Sequence, residues 1–233
     1  MPTRSQAFKV NRKLPLRDQI YSMVRANILT GSIAAGQLID EKAIALKLEV
    51  SRTPVREALK KLSDERLVEI VAQSGTRATA IDRRDIEQAF LIRRALEVES
   101  AAQAALKMNQ DHADHLADIL RLHARAIERR NYVQAIGFDD SFHKYLTDIS
   151  DLPLLWRSIE ISKAQLDRCR HMMLPRDGEA EATLEQHREI IRALNTGSQD
   201  KAREAMAKHL EAAFDNTIRA MEAGELGTSA VAV

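Results

Sequence analysis

Apolar positions along this chain recur mostly at intervals of three and four, the spacing of one helical face. Leu16, Ile20, Val24 and Ile28 repeat every four residues and Gly31 follows as a C-cap type, so residues 14–30 are expected to be helical. Ile44, Ala45 and Leu48 predict a short helix over 40–48. Val55, Leu59 and Leu62 predict a second one, which begins at the N-cap types Ser51 and Thr53 and ends near Glu65. Pro54 fits only the first turn of that helix. The spacing changes once. Residues 67–71 and 76–81 are β-rich and flank Ala72-Gln73-Ser74-Gly75, which is turn chemistry, so a short hairpin is expected. From Asp82 onward every segment reads as helix: 82–107, 111–130, 132–150, 152–173, 179–194 and 199–223, with breaks at Pro175-Arg176-Asp177-Gly178 and Asn195-Thr196-Gly197. Long helices separated by short breaks predict an antiparallel bundle.

Two short helices joined by a tight turn, the second opening on arginines, are what a helix-turn-helix requires. Arg52 and Arg56 lie four apart and share one side of the helix start. Arginines there reach base edges and phosphates, although an ordinary helix pair with solvated arginines shows the same pattern. Gly75 at the hairpin tip lets a backbone approach DNA closely or merely closes a tight turn. Arg77 beside it touches a phosphate or is solvated. The fold class is therefore mainly α: a flexible basic arm (1–13), an N-terminal winged helix-turn-helix (14–81), a C-terminal antiparallel all-α helical bundle (82–223) and a flexible tail (224–233).

Composition adds little until it is divided. The net charge of +1 separates into +6 over residues 1–81 and −5 over the remainder, a basic first third that suits phosphate contact. Hydrophobic content of 45% in 233 residues supports two modest domains with real cores. Charges interrupt every apolar run, so neither a membrane span nor a signal peptide is expected. The single cysteine, Cys169, excludes an intramolecular disulfide framework and suits a reducing cytosol, hence a cytoplasmic location.

The bundle's informative residues are histidines. Asp139 and His143 are four apart on one helical face, His187 falls on a later helix and His209 on the last. A carboxylate and three imidazoles from three helices make a sensible divalent-metal set, with Zn or Ni best suited. His112, His115, His123 and His171 are expected to be packed or solvated only. Arg93 sits in the apolar stripe Ile86, Phe90, Glu97, Ala101, where an unpaired guanidinium is costly. Two solutions stand open: an intrahelical pair with Glu97, or a ligand carboxylate held by the arginine's fork and the metal.

The run from Gly31 to Val68, with Val50-Ser51-Arg52-Thr53-Pro54-Val55-Arg56-Glu57-Ala58-Leu59 at its centre, resembles the winged helix-turn-helix of the GntR family of bacterial transcription regulators. Ala35 stands where Pro is common in that family, and Glu49 and Arg66 where Gly is common. Residues from about 86 to 221 resemble the FCD ligand-binding domain of the family's FadR-like branch, through Asp139-x-x-Phe142-His143, His187 and His209. Arg93-Arg94-Ala95-Leu96-Glu97 is similar to that branch's R-x-x-L-E, and Ser150-Asp151-Leu152-Pro153 stands where S-G-N-P is frequent. Leu152 thus replaces a polar residue, a difference expected to bear on ligand specificity.

The resemblance implies a homodimer that binds a palindromic double-stranded DNA operator and responds to a small organic acid. The residues assigned to DNA are Arg52 and Arg56, then Thr53, Lys42 and Ser51, with Gly75 at the wing. Asp139, His143, His187 and His209 are assigned to a divalent metal, and Arg93 to the acid. The rival readings are a metal-dependent enzyme acting on a small carboxylic acid and a direct metal sensor. No general base is evident near the metal set, and the attached DNA reader counts further against an enzyme.

Overall fold

The computed structural model describes residues 10–176 and 178–226. Arg4 and Lys9 of the expected basic arm lie outside the described residues, as do Asp177 and most of the expected tail. The chain divides into two compact units, residues 1–80 and 81–233.

In the first unit, α1 (Leu16–Leu29) packs on α3 (Arg52–Asp64). Ile20, Val24 and Ile28 meet Val55, Leu59 and Leu62 in a core in which none is more than 1% exposed. The short helix α2 (Glu41–Leu48) begins at Asp40, whose carboxylate accepts hydrogen bonds from the Lys42 and Ala43 amides. Strands β2 (Val68–Val71) and β3 (Gly75–Ala78) form the expected hairpin. A third strand, β1 (Leu38–Ile39), joins β3 antiparallel and makes the sheet order β1-β3-β2. Two residues are too few for alternation to register, and the sequence pattern missed that strand.

The turn between α2 and α3 shows why glycine is common at position 49. Glu49 is left-handed at φ 53°, and the Val50 amide bonds back to the Ala45 carbonyl, a Schellman closure in which glycine is ordinarily favoured. A side chain there is strained.

The second unit is a helical bundle of α4 (Arg83–Lys107), α5 (Gln110–Glu128), α6 (Tyr132–Ser150), α7 (Pro153–Ser162), α8 (Ala164–Met173), α9 (Glu179–Leu194) and α10 (Gln199–Glu222). Side chains cap four of these helices: Asp82 on α4, Asn109 on α5, Asn131 on α6 and Ser198 on α10. Helix α4 lies against α6, α7 and α10, while α5 lies against α6 and α9. Residues 152–173, expected as one helix, are two, because the chain turns at Lys163. Leu152 occupies the N-cap position of α7 without a side-chain hydrogen bond, so the polar group absent there is a helix cap. The tail expected to be flexible from Gly224 is anchored at its start. Leu226 is 1% exposed and packs among Ile81, Ile86, Leu166 and Cys169. Burial pushes the Cys169 thiol up to about 12, which leaves it inert at neutral pH. Among the described residues, no helix is long and apolar enough to cross a membrane.

Glu49→Gly is expected to stabilise the first unit by about 0.5–1 kcal/mol, since relief of the left-handed strain outweighs the extra freedom of an unfolded glycine. The exposed Arg12–Glu49 contact of 3.9 Å that it removes is of the class that contributes little. Urea denaturation checks this, and a lower midpoint would contradict it.

Candidate DNA-reading face and buried histidine site

The residues expected to face DNA are exposed on the first unit. Ser51 holds the N-cap position of α3 with no side-chain hydrogen bond, and Arg52, Thr53 and Arg56 occupy its first turns. Lys42 is exposed on the first turn of α2. A cleft between these helix starts and the wing is lined by Lys42, Arg52, Arg56, Lys60, Gln73 and Gly75. Arg52 and Arg56 are not simply solvated, because both donate to Glu41 Oε2, at 3.1 and 3.0 Å. Gly75 has a local reason to be glycine: its φ is 93°, and a Cβ would lie 3.1 Å from Leu38 Cδ1. Arg77 donates to the Gly36 carbonyl at 3.2 Å.

In the second unit the buried face of α6 presents Asp139, Phe142, His143 and Leu146, one stripe at i, i+3, i+4 and i+7. Helix α9 brings His187 to it and α10 brings His209. Ligand atoms of His143, His187 and His209 all lie within 4.8 Å of one another, on buried side chains, so this triad can hold a metal ion. The outward nitrogens are oriented by neighbours. His209 Nδ1 is 2.8 Å from Gln186 Oε1, while its Nε2 is 3.3 Å from His143 Nε2. His143 Nδ1 lies 2.6 Å from Glu97 Oε2, a close contact that falls off the ring N–H axis. Partners of this kind turn the other ring nitrogen toward a shared point. His187 is fully buried, stacks on Phe142 at 4.1 Å, and has neither ring nitrogen in a hydrogen bond. A buried imidazole without partners fits a ligand role, and three nitrogen donors suit an ion such as Zn or Ni.

Asp139 lies beside the triad, with Oδ1 3.5 Å from His187 Nε2 and Oδ2 3.8 Å from His143 Nε2. Its firm partner is Arg170 on α8. Arg170 also donates to Asp140 at 3.0 Å and to Asp167 at 3.1 Å. Lys163 extends this network: its ammonium is 2.8 Å from Asp140 and Asp167 and lies over Trp156, 5.8 Å from the ring centroid. Arg93 and Glu97 form the intrahelical pair, at 2.5 and 3.3 Å, and Arg93 also lines a cavity of about 70 Å³ with Asp139, Arg170 and His209. Of the two solutions open for Arg93, the intrahelical pair is the one observed, and it leaves the guanidinium on the wall of that cavity.

Sequence reasoning missed Arg170, Gln186 and Lys163, whose roles depend on packing between helices and leave no local pattern. It also set aside His123, which is 1% exposed with its ring 5.7 Å from that of His187. The apolar spacing of α5 gave that burial away, since His123 falls in the stripe of Leu116, Ile119, Leu120 and Ile127.

Electrostatics follow burial. Desolvation lowers His209 to about 3 and His187 well below its usual value, so both are neutral and able to donate a lone pair at pH 7. Burial alone would raise Asp139, but the Arg170 guanidinium outweighs it and holds the carboxyl well below its ordinary range. Glu97 is lowered in the same way by Arg93 and then His143, against the upward push of burial.

Residues 16–77 match the bacterial regulatory proteins of the gntR family, and residues 88–212 match the FCD domain. The HTH-type transcriptional repressor RspR of Escherichia coli K12 is 34% identical over 203 residues, covering 87% of this chain and 89% of that protein. A Streptomyces ambofaciens protein, described as an uncharacterised HTH-type transcriptional regulator in an unstable DNA locus, is 32% identical over 203 residues, 87% of this chain and 85% of its own. The structure of E. coli McbR/YncC shares the fold, with a TM-score of 0.76 at 20% identity over 89% of this chain and 99% of that one.

The lowered histidines fix a pH dependence. Unfolded histidines titrate near 6.5, so the stability gained by burying them neutral is complete above about pH 6.5 and is lost as pH falls toward the folded values. Glu97 and Asp139 act in the same direction lower down, below about pH 4, the ordinary carboxylate range. Thermal melts in chelator are expected to show Tm falling between pH 7 and pH 5, and to fall less for His209→Asn. A Tm independent of pH over that range would contradict the buried neutral histidines.

Proposed function

The chain belongs to the GntR family of bacterial regulatory proteins, in the FadR-like branch that carries an FCD domain, and from that premise we propose a homodimeric regulator that binds a palindromic operator and answers to a small organic acid through a metal-assisted pocket. It is a DNA-binding transcriptional regulator and not an enzyme. The relative at 34% identity is named a repressor, which supports the same role here. A cytoplasmic location is proposed with that role.

The observation that carries the ligand half is the convergence of three buried histidine nitrogens beside a cavity walled by Arg93 and Arg170. His143, His187 and His209 would hold the metal, with Asp139 as the fourth ligand. When bound, the ion supplies a Lewis-acid anchor for a carboxylate. Charge counting favours that order of events. Arg93, Lys163 and Arg170 face Glu97, Asp139, Asp140 and Asp167, and Glu179 lines the cavity as well, so the site carries two excess negative charges. A divalent ion cancels that excess and removes the repulsion that an entering acid would otherwise meet. One water needs roughly 10–15 Å³ of such volume, so a cavity of about 70 Å³ suits a compact acid of a handful of heavy atoms.

On the DNA side, Arg52, Arg56, Thr53, Lys42 and Ser51 are proposed to contact the operator, with Gly75 at the wing. The effector is proposed to bind one arrangement of the dimer better and so shift operator affinity.

Arg52→Ala and Arg56→Ala are each expected to abolish operator binding while leaving Tm unchanged. Sequence-specific binding retained by both would remove these arginines from the DNA-reading role. Purified protein is expected to hold near-stoichiometric Zn or Ni by elemental analysis, lost in His187→Ala. Small carboxylic acids should then raise Tm only in metal-loaded protein. Stabilisation by acid that survives chelation would overturn the metal's part. A shift in operator affinity produced by metal alone would favour direct metal sensing.

A further inference from the structure

Glu41 is the acidic residue at the start of α2, in the middle of the surface assigned to DNA. An acid facing phosphates opposes binding, so its presence there needs a reason. Its Oε2 accepts from Arg52 Nη2 at 3.1 Å and from Arg56 Nε at 3.0 Å. Glu41 is 21% exposed, whereas Arg52 and Arg56 are 45% and 62% exposed. The carboxylate is thus set behind the two guanidiniums rather than in front of them.

We propose that Glu41 is a positioning residue for base recognition, which holds Arg56 so that its terminal amino groups read a guanine and which restrains binding to DNA of other sequences. The assignment rests on Arg52 and Arg56 contacting the operator, as proposed above. The atoms decide which arginine reads. Guanine presents O6 and N7 side by side in the major groove, and two parallel donors meet them. Arg56 is gripped through Nε, which leaves both of its Nη groups for that fork. Arg52 already spends one hydrogen of its terminal pair on Glu41, so Arg56 is the arginine whose two Nη groups are wholly uncommitted, and Arg52 is assigned to a phosphate oxygen. An exposed arginine loses much rotamer freedom on binding, and a fixed one has less to lose. The same carboxylate leaves three charged groups with a net charge of +1 instead of the +2 of bare arginines, which weakens contact with any phosphate array. Discrimination therefore gains from both sides, by a better fit to the correct base and a lower affinity for the rest.

The test uses the full-length protein and duplexes that the wild type enriches from a random 30-base-pair pool. Each G·C pair of the enriched site is then replaced singly by A·T. Affinities of wild type, Glu41→Ala and Glu41→Gln are measured by fluorescence anisotropy over a range of salt. Glu41→Ala is expected to lose discrimination at one guanine position by roughly tenfold. It is also expected to bind unrelated duplex more tightly, with a salt slope steeper by about one. Glu41→Gln, which keeps an acceptor without the charge, should show the steeper slope with a smaller loss of discrimination. It decides the matter if Glu41→Ala melts early, because it is nearly isosteric.

Wild-type discrimination and slope in both variants would overturn the inference. Arg52→Ala and Arg56→Ala run alongside separate the two possible failures. If both bind the enriched duplex as wild type does, the DNA assignment falls and the inference with it. If they lose binding while both Glu41 variants behave as wild type, the inference alone falls.

Discussion

A carboxylate buried in a helical bundle must be surrounded by cations, and Asp139 imposes that demand on the whole second unit. Moving an ion from water into a protein interior costs several kcal/mol even after relaxation, and only close partners with good geometry offset it. Arg170 answers Asp139, but Arg170 is itself largely shielded from water and is shared with two further carboxylates, Asp140 and Asp167. Lys163 then balances those two. Arg93 and Glu97 form a second, tighter pair next to the histidines. Helices α4, α6, α8, α9 and α10 all contribute a side chain to the network or to the imidazoles it adjoins. The apolar core fixes the separation of these helices, and the charges fix their rotation about their own axes. A helix turned by one position would bring a charge to an apolar wall.

The exposed charges of the first unit work under the opposite condition. Pairs at that surface contribute little to stability, so the meeting of Glu41 with two arginines has a meaning for recognition rather than for folding. The two units thus use the same chemistry to different ends. Buried charges specify one packing of the bundle, and solvent-facing ones specify how a surface meets a polyanion.

Much of this was legible in the sequence because it is written locally. The four-residue spacing of Ile20, Val24 and Ile28, the cap types Asp40 and Asp82, and the turn at Ala72–Gly75 each act within a few residues. Asp139 and His143 could be placed together because one helical turn joins them, and His187 and His209 because they match a family motif. What escaped depends on partners distant in the chain. Strand β1 exists only because β3 pairs with it. The turn at Lys163 interrupts an apolar pattern that runs on without a glycine or proline, and its ammonium is satisfied by Asp140, 23 residues earlier. His123 was set aside although its helix face is apolar, since nothing near it in sequence signals a site. Glu49 was recognised as a departure from the family's glycine, but only the backbone angle gives the reason.

Trp156 is the only tryptophan in the chain, and its ring faces the ammonium of Lys163, at the end of the network that begins beside the histidines. An indole's emission responds to the electric field across it, and a nearby cation contributes to that field. The protein therefore carries an intrinsic optical probe within one side chain of its charge network. A rearrangement of that network would be read as a change in colour and intensity of a single fluorophore, in unlabelled protein and without DNA present.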